Sequence, residues 1–172
     1  SIAYFEASLV VEHLIALTGD GPDAACWCFC GASGRAESLT RHAPQLVLIE
    51  DDDAATMHDR FARVSDALAE CDYLGRVDGA FERAFPRERR VASRGEWRTW
   101  YRDWLRDPVR TEMYLARPLF DLRPVHGRES LWRDLEETVV AGVDRDLLQV
   151  LANDCLASLP PVTFFEDAVV EE

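Results

Sequence analysis

Ala24-Ala25-Cys26-Trp27-Cys28-Phe29-Cys30, followed at once by Gly31-Ala32-Ser33-Gly34-Arg35-Ala36-Glu37, is the stretch on which the fold turns. Its first half is apolar throughout, which predicts a buried strand over about Ala25–Cys30. Alternation on that strand sets Cys26, Cys28 and Cys30 on one face and Trp27 and Phe29 on the other. Thiols spaced this way along one face lie too nearly in line for a tetrahedral cage, so they read as small core residues rather than zinc ligands. Gly31 and Gly34 let the chain turn tightly, and a short helix over Gly34–Arg41 would aim its first backbone N–H groups at an anion. Strand, glycine turn and helix in that order predict a phosphate cradle.

Working outward, Leu46-Val47-Leu48-Ile49 reads as a second buried strand, and Glu50-Asp51-Asp52-Asp53 leads from it into a helix. That acidic run lies at the far end of its strand, roughly 15–20 Å from the glycine turn at about 3.3 Å per residue. It is expected to be a solvated loop and helix start. Met57, Phe61, Val64, Leu68 and Cys71 then share one helical face, Tyr73–Asp78 suggests another strand, and Pro86–Arg94 reads as a basic loop. Trp97, Trp100, Tyr101, Trp104 and Leu105 keep helical spacing, so an amphipathic helix presents an aromatic stripe to the core. A strand across Leu119–Val125 and helices over about Ser130–Val140 and Asp144–Ala157 complete the regular pattern. Before all of these, Phe5, Leu9, Glu12, His13 and Ala16 mark the face of an N-terminal helix, which Thr18-Gly19-Asp20-Gly21-Pro22 stops.

Composition narrows the partners. The 172 residues hold 32 acidic against 19 basic side chains, a net charge of −13, and every basic residue is Arg. Nucleic acid is an unsuitable partner for such a surface, and no lysine exists to form a Schiff base. Five cysteines with no secretory signal favour reduced thiols and a cytoplasmic setting. Glu6, Glu12 and His13 interrupt the apolar pattern from Ile2 to Leu17, so no membrane span is expected there. Strands alternating with helices predict an α/β (α+β) domain over residues 1–142, with a helical extension over 143–172 leading towards a further domain. The chain opens inside a helical pattern, as a piece of a longer protein would.

Four stretches carry a family likeness. Gly31–Glu37 resembles the Gly-Ser-x-Gly-Arg-x-Glu signature of nucleotidyltransferases like the protein-PII uridylyltransferase, within the DNA polymerase beta-type fold. Leu119-Phe120-Asp121-Leu122-Arg123-Pro124-Val125-His126-Gly127 resembles a later strand signature in nucleotidyltransferase domains that bacteria append to CBS or cyclic-nucleotide-binding modules. Glu96-Trp97 and Pro160-Pro161-Val162-Thr163-Phe164-Phe165 are further echoes, in the right order. The resemblance implies a nucleotidyltransferase-type mixed sheet flanked by helices, with Gly31, Ser33, Gly34, Arg35 and Glu37 at the nucleotide and Asp121 as a metal ligand. Read from the residues alone, Arg35 and Glu37 are equally a first-turn ion pair, and Asp121 reads as a partner of Arg123, Arg117 or Arg35 before it reads as a ligand.

The chain departs from the family where the chemistry is most demanding. The family's Asp-Gln-Asp, whose two carboxylates hold magnesium, is matched here by Ala43-Pro44-Gln45, and the signature's Ser is matched by Ala32, with Ser33 one place later. Ala43 offers no ligand and Gln45 only a neutral carbonyl. No catalytic residue is therefore assigned, and magnesium is expected only if the domain is active. The expectation is a catalytically degenerate nucleotidyltransferase-like domain, serving as a nucleotide-sensing or regulatory module of a bacterial signal-transduction protein. The alternatives are an active magnesium-dependent transferase modifying a protein or small acceptor, and a protein-interaction domain with a vestigial site.

Overall fold

In the computed structural model, residues 2–18, 25–37, 44–51, 54–70, 83, 85–108 and 116–157 are described, and the statements below concern these. The elements are α1 (Ile2–Leu17), β1 (Ala25–Phe29), a single helical turn α2 (Gly31–Gly34), β2 (Leu46–Glu50) and α3 (Ala54–Glu70). After a 3₁₀ turn at Arg87–Arg90 come β3 (Val91–Ser93) and α4 (Arg94–Arg106). A second 3₁₀ turn at Arg117–Phe120 precedes β4 (Arg123–Gly127), α5 (Glu129–Gly142) and α6 (Arg145–Ala157). The chain divides into a unit of residues 1–142 and a unit of residues 143–172.

The strands form a mixed α/β sheet of order β3-β2-β1-β4. β1 pairs antiparallel with β2, setting Cys28 opposite Val47, and antiparallel with β4, setting Phe29 opposite Arg123. β2 pairs parallel with β3. Every residue of β1 and β2 is buried, which explains why both read as unbroken apolar runs. Ala25, Trp27, Phe29, Leu46 and Leu48 meet Val11, Ile15, Phe61, Val64 and Leu68 of α1 and α3 in one core layer. Trp27 and Phe61 stack with ring centroids 5.9 Å apart. Pro124 sits on β4 beside a register shift opposite Trp27 and Cys28, a position where a missing N–H is tolerated.

The thiols lie on the other face of β1. Cys26, Cys28 and Cys30 are free and buried, and the Cys26 and Cys28 sulfurs are 3.6 Å apart. The Cys28 thiol holds Cys26 below the ordinary thiol value, whereas burial pushes Cys28 and Cys30 well up. α4 and α5 pack on each other on this side, and the expected aromatic stripe is core: Trp97, Tyr101, Trp104 and Leu105 are buried, and Trp97 Nε1 donates to the Leu48 carbonyl at 3.1 Å. Ser93 starts α4 with a reciprocal cap, its hydroxyl accepting from Glu96 N while the Glu96 carboxylate accepts from Ser93 N.

Several expectations are corrected. The buried face of α1 is Ala7, Val11 and Ile15, and Phe5 and Leu9 are 67% and 65% exposed. α1 is apolar nearly all round, so periodicity alone selects no face. Pro86–Arg94 is not a loop: the 3₁₀ turn and β3 occupy it, with Arg90 buried and its Nε bonded to the Phe85 carbonyl at 2.7 Å. The strand expected from Leu119 begins only at Arg123, because Pro118 favours the 3₁₀ turn that precedes it. Glu50 and Asp51 are not a simple solvated loop: Glu50 is 4% exposed against Arg60 at 3.2 Å, and the partly buried Asp51 is shared by Arg94 and Arg128. The strand expected at Tyr73–Asp78, the motif Pro160–Phe165, and Ala43, Asp52, Asp53 and Cys71 lie outside the described residues.

In the second unit, the Asp144 carboxylate caps α6 by accepting from Leu147 N at 2.8 Å. No described helix is long and apolar enough to cross a membrane.

Phe61→Ala removes the ring stacked on Trp27 and is expected to cost about 3–5 kcal/mol in urea denaturation. Burial also makes stability depend on pH. Cys28 and Cys30 stay neutral in the fold above the ordinary value of 9.0, at which the unfolded chain ionises. Their contribution is present below that value and lost as pH rises through it, with Tyr101 adding the same sign above 10.0. Melts recorded below and above pH 9.0 should show this fall, flattened in Cys28→Ala and Cys30→Ala.

Candidate functional site

The candidate site is built where β1 ends. Gly31 adopts φ +55°, and the chain closes one helical turn through Gly34 N to the Cys30 carbonyl at 3.1 Å and Arg35 N to the Gly31 carbonyl at 3.0 Å. Ala36 then takes φ +58°, a left-handed value that ends the turn. The helix expected from Gly34 is therefore absent over residues 35–37, and residues 38–43 lie outside the description.

Gly34 is required by close approach, and Gly31 is favoured by its left-handed φ. A Cβ on Gly34 would stand 1.7 Å from the Asp121 carbonyl oxygen, and one on Gly31 would stand 2.3 Å from Gln45 Oε1 and 3.2 Å from Pro118 Cβ. The turn is thus pressed against the start of β4 on one side and the start of β2 on the other. Arg123 Nε donates to the Gly34 carbonyl at 2.8 Å, fixing the first contact. Cys30 N donates to the Gln45 carbonyl at 2.9 Å, and Gln45 N donates to Ser33 Oγ at 3.3 Å, fixing the second.

The charged groups converge on Arg35. Its Nε donates to Glu37 Oε2 at 2.7 Å and its Nη1 to Asp121 Oδ2. Glu37 first, then Asp121, raises the Arg35 pKa above its ordinary value, so the guanidinium is a permanent cation between two carboxylates. Arg35 and Glu37 are exposed at 44% and 61%, and Asp121 at 30%. Gly31, Ser33, Gly34, Arg35, Glu37 and Asp121, predicted as site residues across more than eighty positions of chain, are therefore neighbours. Ser33 differs in character: it is 4% exposed and its hydroxyl is engaged by Gln45, which places it inside the turn.

The donor set does not suit a pair of magnesium ions. Such ions take anionic oxygens, and here Asp121 is bound to a guanidinium while Gln45 presents a neutral amide packed on Gly31. Among the described residues no group of three or more His, Cys, Asp and Glu side chains could hold a metal ion. Arg123 and the side chain of Gln45 enter the site in roles the sequence did not give them: Arg123 on the Gly34 carbonyl rather than on Asp121, and Gln45 against Gly31. Their signal lay only in the pairing of Phe29 with Arg123 and of Phe29 with Leu46, which no local motif reveals.

Gly34→Ala should drive the turn off Asp121, because the atom met is backbone and cannot rotate away. A loss of at least about 2 kcal/mol is expected in chemical denaturation, the scale of an overpacked core position.

No curated protein and no solved structure matches the chain significantly. The family model described as Putative nucleotidyltransferase DUF294 matches residues 7–111, a span that includes most of α1, the glycine turn, β2, β3 and α4. With more than half of its length covered by that match, the chain belongs to the DUF294 family of nucleotidyltransferase domains.

Proposed function

We propose that this domain binds a nucleotide at the Gly31–Glu37 turn without transferring it, and acts as a nucleotide-sensing, regulatory module of a larger bacterial signalling protein. The observation that carries the reading is the state of Asp121 and Gln45. Asp121 is neutralised by Arg35, and Gln45 covers Gly31 with an amide. Nucleotidyl transfer relies on metal ions that offset the charge of a triphosphate and align the attacking oxygen. A site whose acid is satisfied by an internal arginine retains recognition and lacks that alignment.

Recognition proceeds by exchange. Arg35 offers a planar fork suited to two phosphate oxygens, and a ligand takes it by replacing Glu37 and Asp121. Gly31 leaves room for a phosphate oxygen once the Gln45 side chain swings off it. Gly34, Ser33 and Arg123 hold the turn in place during the exchange. Because the cation is part of the chain, affinity owes little to magnesium.

Calorimetry with nucleoside triphosphates, with and without magnesium, tests the reading. Weak binding of similar affinity in both conditions is expected, reduced about 10-fold or more in Arg35→Ala, the scale of a lost charge-assisted pair. Absence of heat with every triphosphate would remove the binding half of the proposal. Transfer of label from a triphosphate to a protein acceptor, abolished by Asp121→Ala, would remove the other half. Ala43→Asp together with Gln45→Asp is expected to strengthen magnesium binding over that of the native chain, read by metal titration of both.

A further inference from the structure

Beside the turn, on the α4–α5 side of the sheet, lies a cleft that the exchange at Arg35 does not use. Its volume is about 230 Å³, and its walls include Tyr101, Phe120, Leu122, Trp132 and Val139, with Glu136 at the solvent edge. The walls are set before any ligand arrives. Tyr101 and Phe120 meet edge to face with centroids 5.2 Å apart, and the Tyr101 hydroxyl is held by the Leu119 carbonyl. Trp132 Nε1 donates to the Leu122 carbonyl at 3.1 Å, tying the α5 wall to the segment opposite. Flat rings and aliphatic side chains around a space below the usual size of a whole-ligand pocket suit one planar ring system.

The cleft and the cradle share a segment. Phe120 and Leu122 wall the cleft while Asp121 between them pairs with Arg35, so a single short segment divides cleft from cradle. The cleft's one charged group is Glu136, four residues after Trp132 on α5 and so one helical turn along from the ring. A carboxylate accepts hydrogen bonds and donates none.

We infer that this cleft receives the base of the nucleotide whose phosphates the glycine turn holds, with Glu136 selecting a base that presents adjacent N–H donors, guanine above all. The inference rests on the proposed nucleotide binding. Guanine offers its ring N1–H and its exocyclic amino group side by side, matching the two oxygens of one carboxylate. Adenine and cytosine set a single amino group beside an acceptor nitrogen, and uracil flanks its one N–H with two carbonyls, so each of these turns an acceptor towards Glu136.

The test compares GTP, ATP, UTP and inorganic tripolyphosphate by calorimetry on the full chain, in the native form and in Glu136→Gln and Val139→Trp. GTP is expected to bind about 10-fold more tightly than UTP, the scale of one bidentate base contact. Glu136 is exposed, so its Gln variant keeps the fold, and it should bring GTP and UTP to similar affinity while tripolyphosphate binding stays unchanged. Val139→Trp fills the cleft and should weaken all three nucleotides towards the tripolyphosphate value. Equal binding of the three nucleotides and tripolyphosphate to the native chain would overturn the base site and leave the cradle standing. A guanine preference that survives both substitutions would also overturn it. If neither tripolyphosphate nor any nucleotide binds, the underlying reading fails and this one with it.

Discussion

Everything at the candidate site follows from how closely the Gly34 backbone approaches the Asp121 carbonyl. Only a residue without a Cβ permits it, since that atom would lie 1.7 Å from the oxygen. With the turn pressed against the start of β4, Arg123 reaches the Gly34 carbonyl and Arg35 reaches the Asp121 carboxylate. The strain of a left-handed Ala36, about 1–2 kcal/mol for a residue with a Cβ, is tolerated because these contacts hold the chain before it and Glu37, after it, binds back to Arg35 and donates its N–H to the Ala32 carbonyl at 2.9 Å. A steric allowance at one position thereby organises the charges at several others.

Arginine plays the same part elsewhere in the unit. In a chain of net charge −13 with no lysine, the acids that enter the fold are met by guanidinium groups: Glu50 by Arg60, and Asp51 by Arg94 and Arg128. Arg94 also reaches Asp134 at 2.7 Å, so one network joins the end of β2 to α4 and α5. These pairs are half-buried or better, where water screens them less than it screens pairs at the surface. The far end of β2 is thus a structural junction, where Glu50 and Asp51 are committed to arginines.

Legibility in the sequence followed length and contrast. β1 and β2 could be read because a strand buried on both faces leaves an unbroken apolar run, and α4 because its aromatic residues recur at helical spacing against charged ones. β3 escaped notice because three residues between arginines carry no period. The face of α1 was misread because a helix apolar on every side has no contrast to read, and the helix after the glycine turn because nothing local announces that Ala36 will turn left-handed. At the site, the glycines and Arg35 were visible as a motif. Which arginine would satisfy Asp121 was not, since Arg35, Arg117 and Arg123 were equal candidates until strand register separated them.

The double hold on Arg35 makes the turn discriminating in a way its exposure hides. Two of the guanidinium's five N–H groups are committed to Glu37 and Asp121, so an arriving anion meets a cation whose charge is already partly offset by those carboxylates. On the nucleotide-binding reading proposed above, a singly charged anion such as chloride would gain little at Arg35, and a polyphosphate more.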